Sequence, residues 1–287
     1  MTPQYLYGNT ELPSPSDGAL FHYTKFDSFL TIIDTMTLRS SPLCKMNDLN
    51  EANINSLDWI NDFNLYNKAN KYIKDYCSVI SFTKNVNCQE GSDHPAMWAH
   101  YGDNSNGVCI VIDENRLLEN NKELLSKHFY KLEKVRYSRA CSPSGYSLTA
   151  KKYPNESVFI QKNYKELFYK KHSDWSYEKE VRFFIEQPEV FLNIKGAIKH
   201  IVLGGKLRHN KEQLKRLITK MITPHKQSYR YFNIASFAEI STSPYGYMTN
   251  SAAYTMMQAL REMAESNPLA KSYIHWHNVT YKTSIET

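Results

Sequence analysis

An α+β protein is predicted from three features of the chain. Short apolar runs bounded by polar or glycine-bearing segments mark strands, most clearly at 77–83 and 107–113. Longer stretches carry apolar residues three and four apart, such as Leu214, Leu217, Ile218, Met221 and Ile222, the stripe of a helix with one face in a core. The two kinds of segment alternate without an internal repeat or a low-complexity tract.

The elements follow in order. The opening arm ends in Pro13-Ser14-Pro15-Ser16-Asp17-Gly18, a turn signal, and 19–23 is a short apolar strand. Phe26, Phe29, Leu30 and Ile33 place a helix next. A polar loop over 46–51 leads to a helix over 52–75, with Ile54, Leu57, Trp59 and Ile60 on its apolar side. Between the strands at 77–83 and 107–113 lies a long loop with a helical piece at 96–101. Residues 129–137 alternate as a strand, Ser142-Pro143-Ser144-Gly145 is a turn, and 155–171 is a basic helix. Strands at 181–185 and 200–203 follow, the second stopped by Gly204-Gly205. Lys211, Lys215 and Lys220 lie largely off the stripe of the next helix, and a last amphipathic helix is expected over 251–265.

With 287 residues, one large domain with an extension is expected rather than two equal domains. No window approaches about 18 uninterrupted apolar residues, so no transmembrane helix or membrane partner is expected. Met1-Thr2-Pro3-Gln4-Tyr5 has neither a basic start nor an apolar run, so no signal peptide is expected. Cys44, Cys77, Cys88, Cys109 and Cys141 are odd in number and contain no Cys-x-x-Cys pair. That pattern argues against a zinc site or a disulfide framework and for a reduced, cytoplasmic compartment. His275-Trp276-His277 lacks a third ligand for a metal, and no Gly-x-Gly-x-x-Gly, Walker or Gly-x-Ser-x-Gly pattern is present.

Charge is distributed unevenly. Residues 1–65 hold three Lys/Arg against eight acids, whereas 195–230 hold ten Lys/Arg against Glu212 alone. A basic face of that kind can attract a polyanion through phosphate contacts and counterion release, or it can simply be a solvated helix face. The 21 tyrosines offer stacking surfaces for unpaired bases, and they are equally ordinary core and strand residues.

Several short motifs stand in order: Phe21-His22-Tyr23-Thr24, Asn47-Asp48, Ser81-Phe82-Thr83, Met97-Trp98-Ala99-His100-Tyr101-Gly102, Gly107-Val108-Cys109 and Trp175-x-Tyr177-Glu178-x-Glu180-x-Arg182. In this series, over residues 19–245, the chain resembles DUF2971, a bacterial domain family of unknown function. That layout in turn resembles the ADP-ribosyltransferase superfamily, especially its His-Tyr-Glu branch and the bacterial toxins that modify nucleic acid. The resemblance implies an ADP-ribosyltransferase-like split β-sheet core with flanking helices over 1–248. A C-terminal extension over 249–287, a helix and a strand, lies outside it and either packs on the core, the preferred reading, or docks a partner such as an antitoxin or chaperone. NAD is implied as substrate, with no metal.

The reaction explains the residue types. NAD carries a cationic nicotinamide on C1′ of a ribose, and its loss leaves oxocarbenium character on the sugar. A protein must hold the nicotinamide, bring a carboxylate close and orient an acceptor. By the resemblance, Glu180 accepts the ribose 2′-hydroxyl and stabilises the developing cation, and Glu180 or Glu178 takes a proton from the acceptor. In a strand the two glutamates face one way, and two carboxylates sharing a cleft raise at least one pKa. The alternative is a strand edge whose glutamates pair with Lys179 or Arg182.

The remaining site residues come from the same source. His22 hydrogen-bonds the adenosine ribose or the nicotinamide end, Tyr23 packs near the ring, and Thr24 supports a hydroxyl or, preferably, caps the following helix. Ser81 and Thr83, on one strand face, border the cofactor cleft. Trp98 and Tyr101, three apart, frame the pocket, although core packing is the stronger expectation for Trp98. Trp175 and Tyr177 stack on an acceptor base, with Arg182 beside them. Core histidines and ordinary strand hydroxyls are the plainer readings of His22, Ser81 and Thr83.

The expected function is therefore an NAD-dependent ADP-ribosyltransferase acting as a toxin or anti-phage effector on RNA or single-stranded DNA. Transfer to protein, hydrolysis of NAD by water, and a noncatalytic nucleic-acid-binding module are the alternatives.

Overall fold

The computed structural model describes residues 18–43, 63–85, 91–139, 153–222, 237–243, 246–251 and 253–271. Asn47, Asp48, Glu51, the part of the second helix before residue 63, the turn at 142–145 and His275-Trp276-His277 lie outside the described residues. The chain runs β1 (Ala19–Thr24), α1 (Phe26–Thr35), β2 (Thr37–Arg39), β3 (Ser41–Pro42), α2 (Phe63–Tyr76) and β4 (Ser78–Thr83). Next come α3 (Pro95–His100), β5 (Val108–Asp113), α4 (Glu114–Asn120), α5 (Lys122–Ser126), β6 (Tyr130–Lys134) and β7 (Arg136–Ser138). After α6 (Glu156–Phe168) and β8 (Lys170–His172), a 3-10 turn (Ser173–Glu178) leads into β9 (Glu180–Ile185). The series ends with β10 (Phe191–Asn193), β11 (Ile198–Leu203), α7 (Lys211–Ile222), β12 (Phe237–Ser243), β13 (Gly246–Ser251) and α8 (Ala253–Ala264). The class is α+β, with several sheets and flanking helices. Among the described residues no helix is long and apolar enough to cross a membrane.

Two compact units emerge, each assembled from separated segments. One gathers Met1–Met36, Asn87–Glu114 and Lys195–Thr287, and the other Thr37–Val86 and Asn115–Ile194. The division therefore groups the C-terminal helix α8 with the N-terminal strand.

In the first unit the strand order is β13-β12-β11-β5-β1. β5 lies between two antiparallel neighbours, pairing Thr24↔Val108 through Ala19↔Asp113 on one side and β11 on the other. A strand covered in this way needs apolar residues throughout, and Val108 to Ile112 are all buried. α1 buries Phe26, Phe29, Leu30 and Ile33, the four residues of its sequence stripe. Its N-cap is Lys25 with no side-chain cap bond, so Thr24, the last residue of β1, does not cap the helix as expected.

The turn from α3 into β5 carries three successive left-handed residues, Asp103, Asn104 and Ser105 (φ 51°, 52° and 67°). It fits because backbone passes very close at Gly107 and Gly204: a Cβ on Gly107 would stand 2.3 Å from the Thr24 carbonyl oxygen. Gly107→Ala is accordingly expected to destabilise the protein by about 1–3 kcal/mol, as overpacking against immobile backbone does. Chemical denaturation of the purified variant checks this.

In the second unit β4 pairs antiparallel with β9, from Ser78↔Ile185 to Thr83↔Glu180, and β6 covers the far side of β9. α2 and α6 supply Ala69, Ile73, Phe159, Ile160 and Phe168 to a core shared with Val79 and Phe184. Phe168 stacks on Phe184 at 4.3 Å between centroids.

Two sequence expectations change here. The single strand over 129–137 is two strands, because the Arg136 N–H donates to the Tyr169 carbonyl and the chain turns from β9 to pair with β8. The helix expected to reach residue 171 ends at Phe168. Tyr169 is drawn inward, its hydroxyl lying 2.9 Å from the Lys131 carbonyl oxygen and 3.1 Å from that of Arg182.

Candidate functional site

All six residues of β9 are buried, two of them charged. Burying Glu180 and Arg182 is tolerable only if each is paired and hydrogen-bonded. Being two apart on a strand, they share a face. The Arg182 guanidinium grips the Glu180 carboxylate with both prongs, Nε to Oε1 at 2.7 Å and Nη2 to Oε2 at 2.8 Å. Its Nη1 donates to the Phe168 carbonyl oxygen at 2.8 Å. From β4, the Ser81 hydroxyl donates to Glu180 Oε1 at 2.7 Å. Lys171 Nζ reaches Glu180 Oε2 at 3.4 Å and Glu178 Oε2 at 2.7 Å. Four donor groups thus meet the four acceptor directions of the Glu180 carboxylate, and the lysine contact is the longest by 0.6 Å (3.4 against 2.8).

The two glutamates come together by another route than the one predicted. Glu178 closes the 3-10 turn, and Lys179, left-handed at φ 47°, reverses the chain before Glu180 opens β9. Strand periodicity therefore does not relate them; the Lys171 ammonium between them does. Lys179 is exposed, while Glu178 and Glu180 are each 3% exposed, so this is no exposed strand edge. Trp175 and Tyr177, both half-buried, lie on the turn with ring centroids 6.1 Å apart. Lys171 Nζ sits 5.1 Å above the Trp175 ring.

The rise expected of at least one of the two carboxylates does not occur at Glu180. Burial by itself pushes its carboxyl up, but the Arg182 charge and hydrogen bonds, then Lys171 and Ser81, outweigh burial and hold it at about 2. A folded-state pKa below the ordinary 4.5 means stability that is complete above pH 4.5 and lost as pH falls through about 2. The contribution is on the order of 3 kcal/mol. Acid unfolding followed by circular dichroism is expected to show this loss between pH 4.5 and 2, and Glu180→Gln to remove that component.

Sequence reasoning missed Tyr137 and Lys171. The Tyr137 hydroxyl accepts the Glu180 N–H at 2.9 Å, and burial raises its pKa. Lys171 stands opposite Tyr137 in the parallel β7–β8 pair. Lys171 falls where the sequence pattern called for a helix, and Tyr137 at the end of what read as one continuous strand. Thr83 lies opposite Glu180 in the β4–β9 register, fully buried, and among the described residues its Oγ1 has no hydrogen-bond partner.

The other predicted residues belong to the first unit. The Tyr23 hydroxyl donates to the Gly91 carbonyl at 2.7 Å, and Trp98 Nε1 donates to the Ser92 carbonyl at 2.7 Å. The two rings meet edge to face at 5.0 Å. Both are buried and together fix the Gly91–Ser92 segment, which places Trp98 in the core as its stronger expectation held. Tyr101 is the C-cap of α3 and half-buried. His22 is half-buried on β1. Thus Ser81, Glu178, Glu180, Arg182, Trp175 and Tyr177 form one cluster, while His22, Tyr23, Thr24, Trp98 and Tyr101 belong to the other unit.

The basic helix α7 is substantially neutralised. Arg216 pairs with Asp27 at 2.8 Å, Lys220 with Asp34, Lys211 with Glu262 at 3.3 Å and Lys215 with Glu212 at 3.5 Å. The acids of α1 thus meet the bases of α7, and the charge asymmetry of the sequence is in part an internal complementarity. Among the described residues no group of three or more His, Cys, Asp and Glu side chains is placed to hold a metal ion.

Residues 97–183 match the family model described as "Protein of unknown function (DUF2971)". That stretch includes Glu178, Glu180 and Arg182 and is narrower than the 19–245 over which the motifs resemble the family. No curated protein and no solved structure matches the chain.

Proposed function

We propose that the chain is an NAD-dependent ADP-ribosyltransferase modifying nucleic acid, RNA or single-stranded DNA, as a toxin or anti-phage effector. The observation that carries this reading is a carboxylate, Glu180, held ionised and oriented by Arg182, Ser81 and Lys171, with a second carboxylate and two aromatic rings beside it. NAD supplies a sugar whose cationic leaving group departs with the bond electrons, so positive charge grows on the ribose. A fixed negative charge in a dry site stabilises that growth without reorganising, and this is the role of Glu180.

A carboxyl held at about 2 is too weak a base at neutral pH to take the acceptor proton. That task falls to Glu178. Trp175 and Tyr177 are exposed in part and joined to Glu178 by the same turn; in this reading they stack on a base of the acceptor. A ribose hydroxyl fits the residues present in one way: it replaces the long Lys171 contact on Glu180, while Thr83 Oγ1 offers an unused hydrogen-bonding group on the same strand face. An α+β fold with antiparallel pairing in each unit is compatible with the split-sheet architecture of the superfamily.

A noncatalytic nucleic-acid-binding module is the second reading, favoured by the saturation of Glu180 with internal donors. Incubation with NAD labelled in its ADP-ribose, in separate pools of RNA, DNA and protein, decides between them. Label in RNA or DNA supports the proposal, and label only in protein moves the acceptor. Free ADP-ribose in every pool indicates hydrolysis. Intact NAD with salt-sensitive nucleic-acid binding supports the binding module.

A further inference from the structure

We propose that Lys171 is a built-in plug in a site for a compact organic cation, walled by the Glu178 and Glu180 carboxylates and the Trp175 indole. The site already holds a cation, namely the chain's own ammonium, at 2.7 Å and 3.4 Å from the carboxylates and 5.1 Å from the indole centroid. Two carboxylates and an aromatic face are the recognition chemistry of ammonium and pyridinium groups.

Charge identifies the plug. Glu178 and Glu180 contribute −2, Lys171 and Arg182 +2, so the group is neutral with Lys171 in place and −1 without it. Arg182 cannot be the cation that moves, because three short bonds fix its planar head and the residue is 1% exposed. Lys171 has a flexible four-carbon stem, stands on a strand of three residues and makes a marginal bond to Glu180. An independent sign of a ligand is Thr83. Its hydroxyl is fully buried and, among the described residues, without a partner, directly opposite Glu180 and on the strand face from which Ser81 reaches the same carboxylate. Such a group carries a standing penalty that a ligand's polar atom removes.

Withdrawal of Lys171 leaves a negatively charged place beside the Trp175 ring that fits a primary ammonium. Its link to turnover, in which the ribose hydroxyl of the substrate takes over the Lys171 contact on Glu180, rests on the transferase reading. The cation site itself does not.

The test uses the full chain carrying Lys171→Ala, n-butylammonium as the probe and n-butanol as its neutral counterpart. The variant is expected to melt roughly 5–10 °C below the parent, since a buried charge has lost its partner. Butylammonium should restore most of that loss saturably and alter tryptophan fluorescence, with butanol doing neither. Lys171→Ala/Glu178→Gln, with the excess charge gone, should melt higher than the single variant and ignore the amine. If the single variant does not fold, its refolding yield with and without butylammonium gives the same answer. Equal effects of butylammonium and butanol, no effect of either, or stabilisation of the double variant by the amine as large as that of the single variant would overturn the plug. No NAD is present, so these outcomes are independent of whether the protein turns NAD over.

Discussion

Arg182→Ala is expected to destabilise the protein by about 3–5 kcal/mol, the cost of leaving one member of a buried ion pair without its partner. The substitution removes both prongs on Glu180 and the bond to the Phe168 carbonyl, all inside a strand with six buried residues. Ser81 and Lys171 remain, but neither delivers two parallel hydrogen bonds to one carboxylate. Arg182→Lys keeps the charge and loses the planar fork, so it is expected to recover less than half of the loss. Denaturant unfolding of the two variants measures both effects. An alanine variant within about 0.5 kcal/mol of the parent, as at an ordinary surface site, would show that the pair does not form.

Under the proposed transferase activity, Glu180→Gln is expected to lower turnover of NAD by about 10²–10³-fold, the usual loss when a preorganised charge-stabilising group is removed. The substitution also leaves Arg182 buried with half of its pairing, so reduced activity alone does not separate chemistry from folding. Glu180→Gln/Arg182→Met separates them. Replacing both members of a buried ion pair with neutral groups of similar size is often close to neutral for stability. The double variant should therefore melt nearer the parent than either single variant and remain inactive. Recovery of activity along with the fold would assign Glu180 a purely structural role.

Much of this arrangement was legible where apolar periodicity decides the structure. Phe26, Phe29, Leu30 and Ile33 announced α1, and the uninterrupted run into Ile112 announced a strand covered on both sides. The acidic motif was also visible, but its geometry was not. Lys179 adopts a left-handed conformation without being glycine or asparagine, so nothing in Glu178-Lys179-Glu180 signalled that strand periodicity would fail there.

Lys171 was hidden for a related reason: Tyr169-Lys170-Lys171 continues a basic helix in composition. Only the inward turn of the Tyr169 hydroxyl and the pairing with β7 make it a strand. The charge asymmetry was legible as a composition but not as a pairing, because Asp27 and Asp34 stand about 190 residues before Arg216 and Lys220. The depressed pKa of Glu180 depends on the same kind of long-range contact, through Ser81 and the β4–β9 register.

The most direct test of the proposed activity is nicotinamide release from NAD, measured with the folded parent protein and with Glu180→Gln/Arg182→Met in the presence of RNA and single-stranded DNA. The expected result is release by the parent with ADP-ribose joined to nucleic acid, and none from the double variant. The contradicting result is NAD left intact by the parent, or nicotinamide released equally by both proteins.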